Sequence, residues 1–274
     1  MGRLLVCLPL CLLVQPDGQP PARLPERAAL ATVVDPGGKL PEEAAMVQLA
    51  QTDPIAFIRW SLIRYDREVT SGYRTNFIKQ ERIAGKLNPS EDITVDFREK
   101  PFSVLFCYKT PVRAKRVLYV KPDNDKGKLV AQLAGAASLL ISIVERDPDG
   151  PDARASSRYA IYDFGIKVGS QRTLAAWEAA KKEGTLRLEF LGEKKIKELG
   201  DRPCWVLKRT RYRPPEEDGI AEATFYFDKE TWMQTGSILK DKDGKLIGDY
   251  WFRAVELNPK FDDDTFTRKS LEKK

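Results

Sequence analysis

The alternation of apolar and polar positions predicts a helix, a run of strands, a second helix and a second run of strands. Ile55, Ile58, Leu62, Tyr65 and Val69 recur at spacings of three and four, which makes one apolar stripe on a helix. Phe57, Trp60 and Ile63 fall outside that stripe, so the helix is apolar over much of its circumference and expects burial on several sides. Thr52 or Asp53 can cap it, Pro54 suits its first turn, and Ser71-Gly72 stops it. The helical period then disappears. Tyr73 to Leu87 reads as a strand with mixed faces, and Asn88-Pro89-Ser90 as a turn. Ile93 to Arg98 alternates, Glu99-Lys100-Pro101 interrupts, and Phe102 to Tyr108 resumes. Pro101 cannot donate to a sheet ladder, so it marks a bend or bulge.

Strands are predicted over 116–120 and 128–133, with a turn over 122–127 between them. Residues 139–144 read as a strand or a buried helical turn, and 147–152 as a loop. The second helix is capped by Ser170, or begins nearer Phe164, and runs through Lys182 to a stop at Gly184. Strands follow over 186–191, 204–212, 221–227, 236–240 and 246–257, with Asp241 to Gly244 as a hairpin turn. Consecutive strands on short turns make an antiparallel meander. The fold class expected is α+β: a curved antiparallel sheet, an incomplete barrel, wrapped around the N-terminal helix, with a second helix. A flat sheet with its helices on one face is the alternative.

The start of the chain adds a compartment. Met1-Gly2-Arg3 precedes an apolar run, Leu4 to Val14, too short to span a bilayer as a helix. This pattern resembles a secretory signal and predicts a periplasmic or secreted protein. The expected organisation is a signal peptide over 1–31, a Pro-rich linker over 32–51 with a short helix over 42–51, one domain over 52–268, and a charged tail over 269–274. Cys7 and Cys11 would leave with the signal. Cys107 and Cys204 sit in separate strands, where a buried free thiol is the commoner outcome and a disulfide the alternative.

Composition mainly excludes. The net charge is +6 over 274 residues, a mild excess that identifies neither lipid nor nucleic acid. The chain has no histidine, which removes serine–histidine triads and histidine metal sites. Two distant cysteines do not make a zinc site. Asp123-Asn124-Asp125 and Asp241 to Gly244 hint at calcium loops. Ala134 and Phe252 stand where each would need its last glutamate, so both read as turns. Asp262-Asp263-Asp264 reads as a solvated strand approach. No catalytic residue, metal or cofactor is assigned. Lys208, Arg209, Arg211 and Arg213 form a basic cluster, with the three arginines on one face of a strand. It reads as a phosphate contact or as a solvated face paired with acids. Tyr212 lies on the other face, so no base-stacking platform and no nucleic-acid partner are expected.

The candidate binding residues are apolar. Phe102, Val104 and Phe106 share one strand face, as do Phe225 with Phe227 and Tyr250 with Phe252. With Ile58 and Leu62 of the helix they line a cavity if the sheet is half-open, and fill a core if it is not.

Several blocks then carry a resemblance. Phe77-Ile-Lys-Gln-Glu-Arg82 with Gly85-Lys-Leu87, and Arg98-Glu-Lys-Pro-Phe-Ser-Val104, are similar to an exported bacterial family, domain of unknown function 1571. So are Arg158-Tyr-Ala-Ile161 with Gly165, Phe227-Asp228, and the ending Leu257-Asn-Pro259 with Phe261-Asp262 and Phe266. Ala160 departs from the pattern, where the family favours proline. The resemblance covers roughly residues 50–268. That family is similar in outline to the LolA/LolB lipoprotein-carrier superfamily, which implies an incomplete barrel closed by helices, an apolar cavity for acyl chains and no catalytic residues. The expected function is a non-catalytic exported protein that binds a lipid or other apolar ligand, in lipid or lipoprotein trafficking, with a lipid, an acyl chain or an envelope protein as partner. The rival is a structural or protein-interaction module of the cell envelope with a filled core. An enzyme using paired carboxylates ranks third.

Overall fold

The computed structural model describes residues 37–110, 113–122, 127–135, 142–213 and 218–272. The expected signal peptide, the Asp123 to Asp125 loop and residues 139–141 of the 139–144 run lie outside them.

Two helices come first, α1 (Glu43–Thr52) and α2 (Pro54–Glu68). Seven strands follow: β1 (Gly72–Ile83), β2 (Lys86–Leu87), β3 (Glu91–Arg98), β4 (Ser103–Tyr108), β5 (Ala114–Val120), β6 (Leu129–Leu133) and β7 (Ile143–Arg146). After α3 (Pro151–Arg154) and α4 (Ile166–Lys182) come β8 (Arg187–Ile196), β9 (Arg202–Thr210), β10 (Glu222–Asp228), β11 (Gln234–Lys240) and β12 (Leu246–Leu257). The sheet order is β7-β6-β5-β4-β3-β1-β12-β11-β10-β9-β8, with β2 on β1. Two antiparallel meanders therefore meet where the first long strand pairs with the last. The end strands β7 and β8 do not pair with each other, so the curved sheet is an incomplete barrel.

The helices cover the concave face. Asp53 Oδ1 accepts from Ala56 N–H at 3.3 Å and Pro54 opens α2, as the capping pattern predicts. Phe57, Ile58 and Leu62 are buried on one wing of the sheet. Phe57 meets Trp205 and Phe227 edge-on at 5.8 and 4.9 Å. Further along, Tyr65 and Val69 enter a second cluster with Tyr73, Val95 and Phe97. α4 packs beside α2 and seats Trp177 on Phe225 at 5.4 Å. The buried Tyr73 hydroxyl accepts from Ile166 N–H at 3.1 Å and pins the start of α4. Gly165 precedes that helix at φ +123°, and a Cβ there would lie 3.3 Å from the same hydroxyl.

Several expectations need correction. Residues 73–87 form two strands, because Ala84 and Gly85 both take positive φ and reverse the chain in a tight hairpin. Pro101 marks a bend, one of the two readings, in the reversal between β3 and β4, whose register brings Arg98 opposite Ser103. Ser170 does not cap α4. It sits inside the helix, and its hydroxyl donates to the Ile166 carbonyl at 2.9 Å. The short helix expected within the linker is present as α1, but it belongs to the core, where its Met46 and Ala50 are buried. The stretch taken as a charged tail begins in a turn, Arg268–Leu271, that buries Ser270 and Leu271. Leu271 packs with Leu105, Leu118 and Phe266 on the convex face, and Arg116 Nη1 donates to the Ser270 carbonyl at 2.8 Å. Cys107 and Cys204 are free thiols on opposite wings. Burial pushes the Cys204 thiol up to about 12.

Candidate functional site

A cavity of about 1540 Å3 lies between the concave face of the sheet, α4 and the segment 148–165. It exceeds the roughly 300–1,000 Å3 of common small-ligand pockets. α4 turns a face of small residues to it, among them Gly169, Ala175, Ala176 and Ala179, so the helix leaves the space open. One wall is aromatic. Phe164 meets Phe106 at 4.8 Å, Phe77 at 5.1 Å and Phe252 at 5.6 Å. Cross-strand register puts Phe77 directly between Phe252 and Ile93.

Along β1 the wall changes character. Period two places Tyr73, Thr75, Phe77, Lys79 and Glu81 on the inner, buried face. Lys79 is cross-strand from Glu91 on one side and Tyr250 on the other. Its ammonium donates to Glu81 at 2.8 Å and approaches Glu91 at 3.1 Å. It also reaches the Ser156 carbonyl and the Ser157 hydroxyl, both at 3.3 Å. Glu81 further accepts from the Tyr250 hydroxyl at 2.9 Å and from Arg158 N–H at 3.4 Å. Arg158 itself pairs with Asp218. Burial acts to lower the Lys79 pKa, but the Glu81 and Glu91 carboxylates outweigh it and hold it above its ordinary value. Burial raises Tyr108 to about 12, and raises Tyr159 and Tyr250 as well, so these phenols stay protonated at neutral pH.

The residues expected to line a cavity divide. Phe106, Phe225, Tyr250 and Phe252 border it. Ile58, Leu62, Phe102, Val104 and Phe227 do not; they belong to the packed clusters around α2 and the sheet. The basic cluster disperses because β9 ends at Thr210 and Arg211 turns to φ +59°, which breaks the alternation. Arg209 is buried with its guanidinium 3.8 Å over the Tyr212 ring, so Tyr212 is not on an opposed face. Lys208 pairs with Glu222 at 2.6 Å, and Arg213 with Glu183. Asp241 closes its hairpin by accepting from Asp243 and Lys245 N–H, the plain turn expected. Among the described residues no group of His, Cys, Asp or Glu could hold a metal ion, and no helix is long and apolar enough to cross a membrane.

Sequence reasoning missed Lys79, Glu81, Glu91, Arg158 and Asp218 as a cluster. A signal existed for the first two, because an i, i+2 continuation from Phe77 puts both on the inner face of β1. No local signal ties them to Arg158, 77 residues on from Glu81.

A family model described as "Protein of unknown function (DUF1571)" matches residues 70–273. The chain belongs to this family. Its blocks Phe77 to Arg82 and Arg158 to Ile161 meet at the cavity, so they build its charged wall as well as the fold. No curated protein matches the chain. Similar solved structures include a DUF1329 family protein from Desulfovibrio piger, 14% identical with a TM-score of 0.41, over 80% of this chain and 100% of that one. A chain in the complex structure of Pseudomonas aeruginosa MucA/MucB is 14% identical with a TM-score of 0.44, over 80% of this chain and 62% of that one. A LolA superfamily protein from Nitrosomonas europaea is 10% identical with a TM-score of 0.34, over 78% of this chain and 98% of that one. None of these likenesses says what this DUF1571 chain binds.

Proposed function

We propose that this protein binds a long apolar chain, that of a lipid or a lipid-modified protein, in the cavity beneath α4, and that it acts in the cell envelope by binding and not by catalysis. The observation that carries this reading is the cavity itself, about 1540 Å3 with an aromatic wall around Phe164. Burying apolar surface there contributes roughly 25 cal/mol per Å2, enough to hold a chain of many methylenes. The charged groups further along the same β1 face are engaged with one another, which suits a structural and orienting role better than proton transfer.

Saturable binding of a fluorescent apolar probe, displaced by fatty acids, tests the reading. Ala176→Phe should fill the space and weaken probe binding while the melting temperature holds, because Ala176 faces the cavity. Val104→Trp should instead destabilise the fold by about 1–3 kcal/mol, because Val104 is fully buried among packed neighbours. A parent protein that binds no apolar probe saturably overturns the proposal.

A further inference from the structure

We propose that the ligand of this cavity carries an anionic head, a carboxylate or a phosphate monoester, and that Arg172 receives it. The inference rests on the cavity reading above and adds the chemistry of the head group. Arg172 lines the cavity from α4, where its neighbours Gly169 and Ala176 leave the space around it open. Its guanidinium stacks on the Tyr159 ring, 4.0 Å from the centroid, and donates through Nη2 to the Asp163 carbonyl at 3.3 Å. Among the described residues no carboxylate pairs with it. The other buried or half-buried cations of the same cavity are neutralised: Lys79 by Glu81 and Glu91, Arg158 by Asp218.

Stacking on an aromatic face steadies a guanidinium without consuming its N–H donors. The planar fork therefore remains available for two parallel hydrogen bonds, the geometry that carboxylate and phosphate oxygens accept. The tail has a continuous path from this point. Tyr159 meets Tyr250 at 5.8 Å, Tyr250 meets Phe77 at 6.4 Å, and Phe77 meets Phe164 at 5.1 Å. An amphiphile with its head on Arg172 can lay its chain along these rings.

The test compares three probes on the full chain and its variants: hexadecanoic acid, its methyl ester and hexadecyl phosphate. In the parent the acid should bind tighter than the ester by roughly tenfold or more, as expected for hydrogen bonds to a charged group. In Arg172→Gln the ratio of acid to ester affinity should fall toward one, with circular dichroism confirming a native melt. Arg172→Lys keeps the charge without the fork and should retain part of the preference. Tighter binding of hexadecyl phosphate than of the acid assigns a phosphate head, and the reverse order assigns a carboxylate. Equal affinity for acid and ester in the parent overturns the anionic head while leaving the cavity reading in place. A preference that survives in Arg172→Gln overturns the assignment to Arg172. Saturable binding of none of the three overturns both.

Discussion

Burying an ammonium is tolerable only where oxygen atoms replace its water, and Lys79 shows how that is arranged here. Its partners come from β1, β3 and the segment after α3, so each must be in place for the others to be stable. Apolar positions follow simpler rules. Leu62 is 3% exposed in the cluster under α2, and Leu62→Ala should cost roughly 2–5 kcal/mol in denaturant unfolding. A cost below about 0.5 kcal/mol would mean that the position is not packed as described. Asp228 offers a titration. Burial acts to raise its pKa, but hydrogen bonds from Arg202 and Thr231 outweigh it and hold the carboxylate below its ordinary value of 3.8. A depressed carboxylate stabilises the fold fully above the unfolded pKa and loses that contribution as pH falls through the folded one. Asp228→Asn should therefore lower the melting temperature at neutral pH and flatten its decline below about pH 4. An unchanged acid limb would contradict this.

At the scale of elements, α1 separates a boundary read from composition from one read from contacts. Residues 15–50 are rich in Pro, Gly and Ala and look like a linker, yet Met46 is completely buried against the core. A chain beginning at Gly38 should melt at the same temperature as the full chain. A chain beginning at Asp53 should melt several degrees lower, because it uncovers the surface that Met46 and Ala50 occupy; a loss of only 1 kcal/mol shifts a domain of this size by about 2–4 °C. Equal melting temperatures for the two truncated chains would show that α1 contributes nothing. The period of α2 was legible in its sequence, including its cap, because both depend on neighbours three or four residues away. The start of α4 was legible only as one of two alternatives, and the one near Phe164 holds, since the helix begins at Ile166. Ser170 looks like a cap, but the first turn of the helix donates Ile166 N–H to the Tyr73 hydroxyl, 93 residues away.

On the scale of the molecule, the junction of β1 with β12 joins the two wings, and both strands are flanked by neighbours on each side. Hydrogen exchange should therefore be slowest in β1 and β12 and fastest in the short edge strand β7, since protection follows local burial and pairing. Amides of β7 protected as well as those of β1 would contradict the topology. Most of the strand pattern, the meander order within each wing and the existence of α2 were determined by the sequence alone, because periodicity and turn chemistry are local; the hairpin at Ala84-Gly85 and the choice between a curved and a flat sheet were not. So was the apolar character of Phe106, Phe225, Tyr250 and Phe252. Tertiary structure alone decided that these four border a cavity while Phe227 and Val104, on matching strand faces, are packed solid. Hollow and filled interiors demand the same apolar side chains, and the difference lies in the small-residue face that α4 presents at that place. The meeting of Lys79 and Glu81 with the segment Ser156 to Arg158 was likewise decided only by the fold, because hydrogen bonds across 77 residues leave no trace in either neighbourhood of the chain.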